Sequence, residues 1–309
     1  MRNVPHIGRN SSRYPGRMPS APHTVQPRSR TRAYLLILTV VALLLALGAA
    51  VAVARGNETT GTWVSPSAAP ASALPEPEEE PLEASEPPKD LHVITYAEGP
   101  EGLPEDPGAT SLDVPTEALR PTKKMALYDE PGGKPRAYLP PKISGLPTVA
   151  PIVARDNGWV AVLAPSSNRR IGWVPEDGWT PEPLGDHIVV DLSEHRLTWL
   201  REGEEEQSWE VSVGSKATPT PLGRTFVMGT TTTNGAVYEG LDALVLGTVP
   251  EKKENLAASL RGAHTAIHAW SRTSAFGRSV SNGCVRMPAA AQRALLGKVD
   301  PGTPVLVVA

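Results

Sequence analysis

A run without a single charged residue, Tyr34 to Ala54 (YLLILTVVALLLALGAAVAVA), constrains this chain more than any other feature. As a helix it is about 30 Å long, the thickness of a bilayer's hydrocarbon core. Arg2, Arg9, Arg13, Arg17, Arg28, Arg30 and Arg32 precede it, no acidic residue stands before Glu58, and only Arg55 follows closely. That asymmetry predicts a basic cytoplasmic tail over 1–33, one membrane-spanning helix over 34–54, and everything later on the outer face. A cleaved signal peptide is the alternative, because Ala50-Val51-Ala52 and Ala52-Val53-Ala54 both have the small-residue spacing that a signal peptidase needs. The long basic region and the length of the apolar run favour a retained anchor. A lipid-anchored lipoprotein is excluded, since no cysteine lies near the end of the run. The arginines suit anionic headgroups, and no nucleic-acid partner is expected.

Beyond the anchor the composition changes. Proline (33) outnumbers glycine (27), which points to long extended segments. Residues 55–115 read as a Pro/Glu-rich, disordered extracellular linker, with phrases such as Pro75-Glu-Pro-Glu-Glu-Glu-Pro81 that cannot bury a core. Spacing a domain away from the membrane is its expected role. Leu91–Tyr96 is open between linker and a strand of the next domain.

Residues 116–182 read as a small all-β unit. Strands are expected at Met125–Tyr128, Thr148–Ala154, Trp159–Leu163 and Ile171–Val174, separated by the turn signals Pro131-Gly132-Gly133, Asp156-Asn157-Gly158 and Pro165–Asn168. The phrases Asn157–Leu163 and Arg170–Gly178 resemble the last strands of bacterial SH3-like β-barrels, a likeness that implies binding of peptide or glycan. Trp159, Trp173 and Trp179 are either an aromatic shelf for such a ligand or core.

Residues 185–309 read as a mostly-β domain with one short helix. Strands are expected at Asp186–Leu192, Arg196–Leu200, Ser208–Val213, Thr225–Gly229, Ala263–Ala269 and Pro304–Val308, and the helix at Met287–Gly297, with Pro288 in its first turn and Gly297 just past its end. This domain holds the single cysteine of the chain, Cys284, so no intrachain disulfide is possible. A lone thiol is either inert and buried or reactive, and it attacks an acyl carbon only as the thiolate, which needs a base nearby. His268 ends a predicted strand at a distance that lets it meet Cys284 across adjacent strands. Ser281-Asn282-Gly283 forms a tight turn before the sulfur, whose N–H groups could converge on an oxyanion. No acidic residue is near His268 in sequence, so a backbone carbonyl such as that of Ala269 is a candidate to orient the imidazole. His264 reads as an ordinary strand residue, and His187 and His195 as surface positions. The scattered histidines and one cysteine lack metal-ligand spacing, so neither metal nor cofactor is expected.

With these residues in view, the stretch from Asp186 to Ala309 resembles the L,D-transpeptidase (YkuD-type) catalytic domain. The likeness rests on Ile188–Ser193, Val213-Gly214, Thr218-Pro-Thr-Pro-Leu-Gly223, Ile267-His268, Ser281-Asn-Gly-Cys-Val-Arg-Met287 and Gly302-Thr-Pro-Val305. It implies a β-sandwich-like fold, Cys284 as nucleophile and His268 as base. It further implies an oxyanion hole of the N–H groups of Asn282, Gly283 and Cys284, with Ser281 and Ala269 in orienting roles and Arg286 shaping the site or meeting a substrate carboxylate. Two positions depart from the family: Ala269 where glycine is usual after the histidine, and Asn282 where histidine is usual before Gly-Cys. The implied activity is cross-linking of peptidoglycan stem peptides through a thioester acyl-enzyme, with carbapenem-type β-lactams acylating the same thiol. A catalytically silent wall-binding scaffold and an L,D-carboxypeptidase-like hydrolase are the alternatives.

Overall fold

The computed structural model describes residues 81–309. The expected tail (1–33), membrane span (34–54) and spacer up to residue 80 lie outside them. Among the described residues, no helix is long and apolar enough to cross a membrane.

In the middle unit, strand β2 (Met125–Tyr128) is buried on both faces. Met125 and Leu127 face the main core, while Ala126 and Tyr128 belong to a separate aromatic cluster on the other side, as the two-residue period of a strand dictates. The other strands are β1 (Glu117–Pro121), β3 (Pro135–Leu139), β6 (Ala150–Asp156), β7 (Trp159–Leu163), β8 (Ile171–Pro175) and β9 (Trp179–Pro183), with a short hairpin of β4 (Lys142–Ile143) and β5 (Leu146–Pro147) set apart. The larger sheet is seven-stranded, in the order β3-β2-β8-β7-β6-β1-β9. Strands β1, β3 and β9 carry proline or charge, and their sequences give no strand signal.

The C-terminal domain contains β10 (Asp186–Asp191), β11 (Arg196–Arg201), β12 (Glu204–Glu210), β13 (Ser212–Gly214), β14 (Gly223–Thr231), β15 (Ala243–Leu246), β16 (Ala266–Ala269), β17 (Arg278–Ser281), β18 (Val285–Met287), helix α1 (Ala289–Leu295) and β19 (Pro304–Val308). They join in one order, β12-β11-β10-β19-β14-β15-β16-β18-β13-β17. Strand β14 changes partner along its length: Gly223–Phe226 pair with β19, and Val227–Thr231 pair with β15 through a register shift. Such a switch bends a sheet at a corner. The two halves thereby enclose one core, in which Ile188, Val190 and Leu197 of one half meet Leu244, Ile267 and Val285 of the other. The strand expected over Ser208–Val213 is in fact two, β12 and β13, far apart in the sheet. Val211 breaks it: buried, it donates its N–H to His195 O and accepts from Gly277 N–H, leaving the pairing of both neighbours. The helix is shorter than expected, since Met287 ends β18 and Pro288 is its N-cap.

Residues 81–115 differ from the spacer their composition suggests. Ile94 and Leu103 are buried in the core of the middle unit, and Val93 bridges Tyr138. Asp106 inserts a wholly buried carboxylate against Arg224 of β14, with Nε–Oδ2 at 2.9 Å. A few anchors of this kind hold a segment whose average composition is that of free chain.

Candidate active site

Strands β16 and β18 run parallel and adjacent, with Ile267 opposite Val285 and His268 opposite Arg286. Ile267, Ala269, Val285 and Met287 are fully buried and face the core, where Ala291 and Leu295 of α1 cover them. The intervening residues therefore share the other face. His268 projects from it on β16, Arg286 on β18, and Cys284 stands one side-chain step before Arg286. Strand spacing and rise place the α-carbons of His268 and Cys284 about 8 Å apart.

His268 Nδ1 lies 2.8 Å from the Ala269 carbonyl oxygen. A carbonyl only accepts, so Nδ1 carries the proton and Nε2 is the basic nitrogen. Burial pushes the imidazole down to about 4, against the opposing pull of that hydrogen bond and with help from the positive charge of Arg286. Burial likewise raises the Cys284 thiol, while a hydrogen bond with the Ala266 backbone and the Arg286 charge act in the other direction. The residue keeps partial solvent access. At neutral pH Cys284 therefore rests as the thiol and His268 as the neutral imidazole.

The turn carrying the sulfur is clasped by hydroxyls. Thr218 Oγ1 donates to Ser281 O (2.9 Å), Thr220 Oγ1 to Gly283 O (2.9 Å) and Ser281 Oγ to Cys284 O (2.6 Å). Thr220 also accepts from the Gly214 N–H at 2.8 Å. All three side chains are buried. A peptide unit is planar, so holding a carbonyl fixes the N–H that follows it, which points the opposite way. The clasp thus sets the directions of the Asn282 and Cys284 N–H groups. The third expected oxyanion donor is not free: Gly283 N–H donates to Ser281 Oγ at 3.1 Å. Gly283 itself has φ +108°, a conformation that favours glycine. The Asn282 side chain is exposed, so the departure from the usual histidine leaves the buried clasp intact.

Aromatic rings close the site. Tyr238, in a 3₁₀ turn over Ala236–Tyr238, meets the His268 ring edge-on at 4.9 Å, and Trp270 lies 5.8 Å from both. The Arg286 guanidinium stacks 4.0 Å over Trp270, and its buried Nε has no hydrogen-bond partner. Trp270 sits two residues after His268, a period-2 signal for the same face. Tyr238 has no local signal, because only the β14–β15 connection brings it here. Among the remaining histidines, His264 is buried with Nε2 2.7 Å from Tyr96 O and Nδ1 against Leu246 O. His195 Nε2 meets Ser279 Oγ at 2.9 Å, and His187 is half-buried. In the middle unit Trp173 and Trp179 pack against the core, whereas Trp159 lies in the outer aromatic cluster. Among the described residues, no group of three or more His, Cys, Asp or Glu side chains is placed to hold a metal ion.

A comparison with curated proteins finds no match. Among solved structures, an L,D-transpeptidase from Mycobacterium smegmatis shares 16% identity, covering 49% of this chain and 90% of that one, with TM-score 0.32. One from Mycobacterium tuberculosis H37Rv shares 18%, covering 53% and 77%, with TM-score 0.34. The catalytic domain of the E. faecium L,D-transpeptidase shares 25%, covering 40% and 96%, with TM-score 0.29. The cysteine, the histidine and the hydroxyl clasp all fall within residues 185–307, the stretch that matches the family model YkuD, the L,D-transpeptidase catalytic domain.

Proposed function

We propose that this protein is a peptidoglycan L,D-transpeptidase working through Cys284. The observation that carries the reading is the parallel pairing of β16 with β18, which brings His268, with its Nδ1 proton on Ala269 O, onto the strand next to the one that Cys284 leads into. The YkuD match over 185–307 supports the reaction class. In the proposed cycle, His268 Nε2 takes the thiol proton as sulfur attacks the amide carbonyl between a stem-peptide diamino acid and its terminal D-alanine. The N–H of Cys284, with that of Asn282, stabilises the oxyanion. The C–N bond breaks, the imidazolium protonates the departing D-alanine amine, and a thioester remains. An amine of a neighbouring stem then attacks the thioester, His268 accepts its proton, and the thiol is restored. Arg286 offers positive charge to a substrate carboxylate. A membrane anchor over 34–54, an outward-facing catalytic domain and an SH3-like middle unit over 116–182 belong to the same reading, supported by the arginine asymmetry around the apolar run and by the strand phrases Asn157–Leu163 and Arg170–Gly178.

Intact-mass spectrometry with a carbapenem tests the nucleophile: one adduct is expected on the wild type and none on Cys284→Ala. Absence of the first, or persistence on the second, overturns the assignment. Incubating a tetrapeptide donor with and without an acceptor amine separates transfer from hydrolysis, because only a transferase yields the cross-linked dimer.

A further inference from the structure

Residues 81–88 (Pro-Leu-Glu-Ala-Ser-Glu-Pro-Pro) run extended, outside any helix or strand, across the outer face of the middle sheet. Three aromatic side chains there donate hydrogen bonds to the segment's backbone. Trp159 Nε1 donates to Leu82 O at 2.8 Å, Tyr128 Oη to Ser85 O at 2.7 Å, and Tyr138 Oη to Pro88 O at 3.1 Å. The accepting residues are 82, 85 and 88. Every third carbonyl lying on one side is the signature of a polyproline II helix, which has three residues per turn and rises about 3.1 Å per residue. A row of aromatic donors with matching spacing is how proline-rich backbone is read, since the preformed helix loses little entropy on docking.

The aromatics are buried on the face of the sheet away from its main core. Tyr128, Tyr138 and Trp159 form a cluster apart from the main one, and their burial comes in part from the segment above them. Its own side chains stay exposed, Leu82 at 50%, apart from the half-buried Pro87. Apart from the Ser85 hydroxyl bonding to Gly133 O, the hydrogen bonds recorded for the segment run through its main chain. The turn at Gly158 is open enough for Pro81 to pass: a Cβ there would stand 2.7 Å from the Pro81 side chain. Beside Pro87, Lys123 and Lys124 line the adjoining cleft, with Lys124 stacked 4.0 Å over the Tyr138 ring. Asp177 lines the same cleft.

We infer that this face is a recognition groove for extended, proline-containing peptide, and that residues 81–88 occupy it in cis as an intramolecular ligand. Tethering keeps the occupant at an effective concentration of about millimolar, so the groove is closed to weaker peptides until the segment lifts.

The test uses the full chain and a synthetic peptide of residues 81–88, with binding followed by calorimetry. A variant carrying Pro81→Gly, Pro87→Gly and Pro88→Gly weakens the tethered occupant, and the peptide is expected to bind it at least tenfold more tightly than the wild type. Adding Tyr128→Phe or Tyr138→Phe to that variant is expected to weaken binding roughly fivefold each, the loss of one hydrogen bond. Equal affinity for variant and wild type, or equal binding of a peptide whose prolines are all glycine, overturns the inference. A second measurement needs no glycine variant. Limited proteolysis after exposed Lys89 is expected to accelerate in Tyr128→Phe and Tyr138→Phe, and in the wild type when excess peptide is added. Unchanged cleavage in all three overturns it.

Discussion

Thr220 offers the sharpest separation between a thiol that is merely reactive and one that is aimed. Its hydroxyl bridges Gly214 N–H and Gly283 O within a buried contact, and Val has nearly the same shape without the bridge. Thr220→Val leaves a buried donor and a buried acceptor without partners, at roughly 1–3 kcal/mol each. If about 2 kcal/mol of that appears as a misdirected Cys284 N–H, acylation slows by about 30-fold. Alkylation by iodoacetamide builds no oxyanion, so its rate should stay within about threefold of wild type. The assay compares the two rates on the same protein, carbapenem acylation by time-resolved intact mass and alkylation by loss of free thiol. Thr220→Ser restores the hydroxyl and should recover most of the acylation rate. Parallel loss of both reactions would mean that the sulfur itself has moved. Either that, unchanged acylation, or a serine variant no better than valine refutes the reasoning.

Three further outcomes are expected of the same structure. Because burial holds His268 at about 4 rather than 6.5, the unfolded chain takes up this proton first as pH falls. The associated stability is complete above about 6.5 and lost by up to about 3 kcal/mol as pH drops to 4; His264 is lowered in the same direction, and urea unfolding at a series of pH values should show His268→Gln with the shallower dependence. Arg224→Met strands the buried Asp106 carboxylate and should cost about 3 kcal/mol in urea unfolding, with Asp106→Asn in the same chain recovering part of it. Asn282→Ala removes an exposed side chain and keeps the peptide N–H, so carbapenem acylation should change by less than about threefold.

Strands with a strong apolar or β-branched signal were legible in the sequence with their true ends: Met125–Tyr128, Trp159–Leu163 and Pro304–Val308. Ala243–Leu246 was missed although it is apolar and fully buried; other missed strands are short or polar. Arg278–Ser281 is mostly exposed, and Val285–Met287 is too brief to show a period. At the site, Cys284 and His268 stand out as residue types, and the pairing of their strands is clear once the sheet order is known. The clasp does not stand out, because threonine in a proline-rich loop looks like turn chemistry until Gly283 O and Ser281 O are seen beside it. Residues 81–115 misled for a related reason. Their attachment depends on Ile94, Leu103, Asp106 and a few main-chain carbonyls, and composition averages over all of these.

The parallel pairing of β16 with β18 has a consequence in time as well as in space. Parallel neighbours cannot close through a tight turn, and here the excursion between them carries β17, while β13 comes from far upstream to pair with both β17 and β18. Such non-local pairings form slowly. Until they do, Cys284 is an ordinary thiol and His268 an ordinary imidazole, because the burial that tunes both is absent. The burial of both side chains is then a late event in folding, and in a refolding experiment carbapenem acylation should lag behind the first appearance of strand structure.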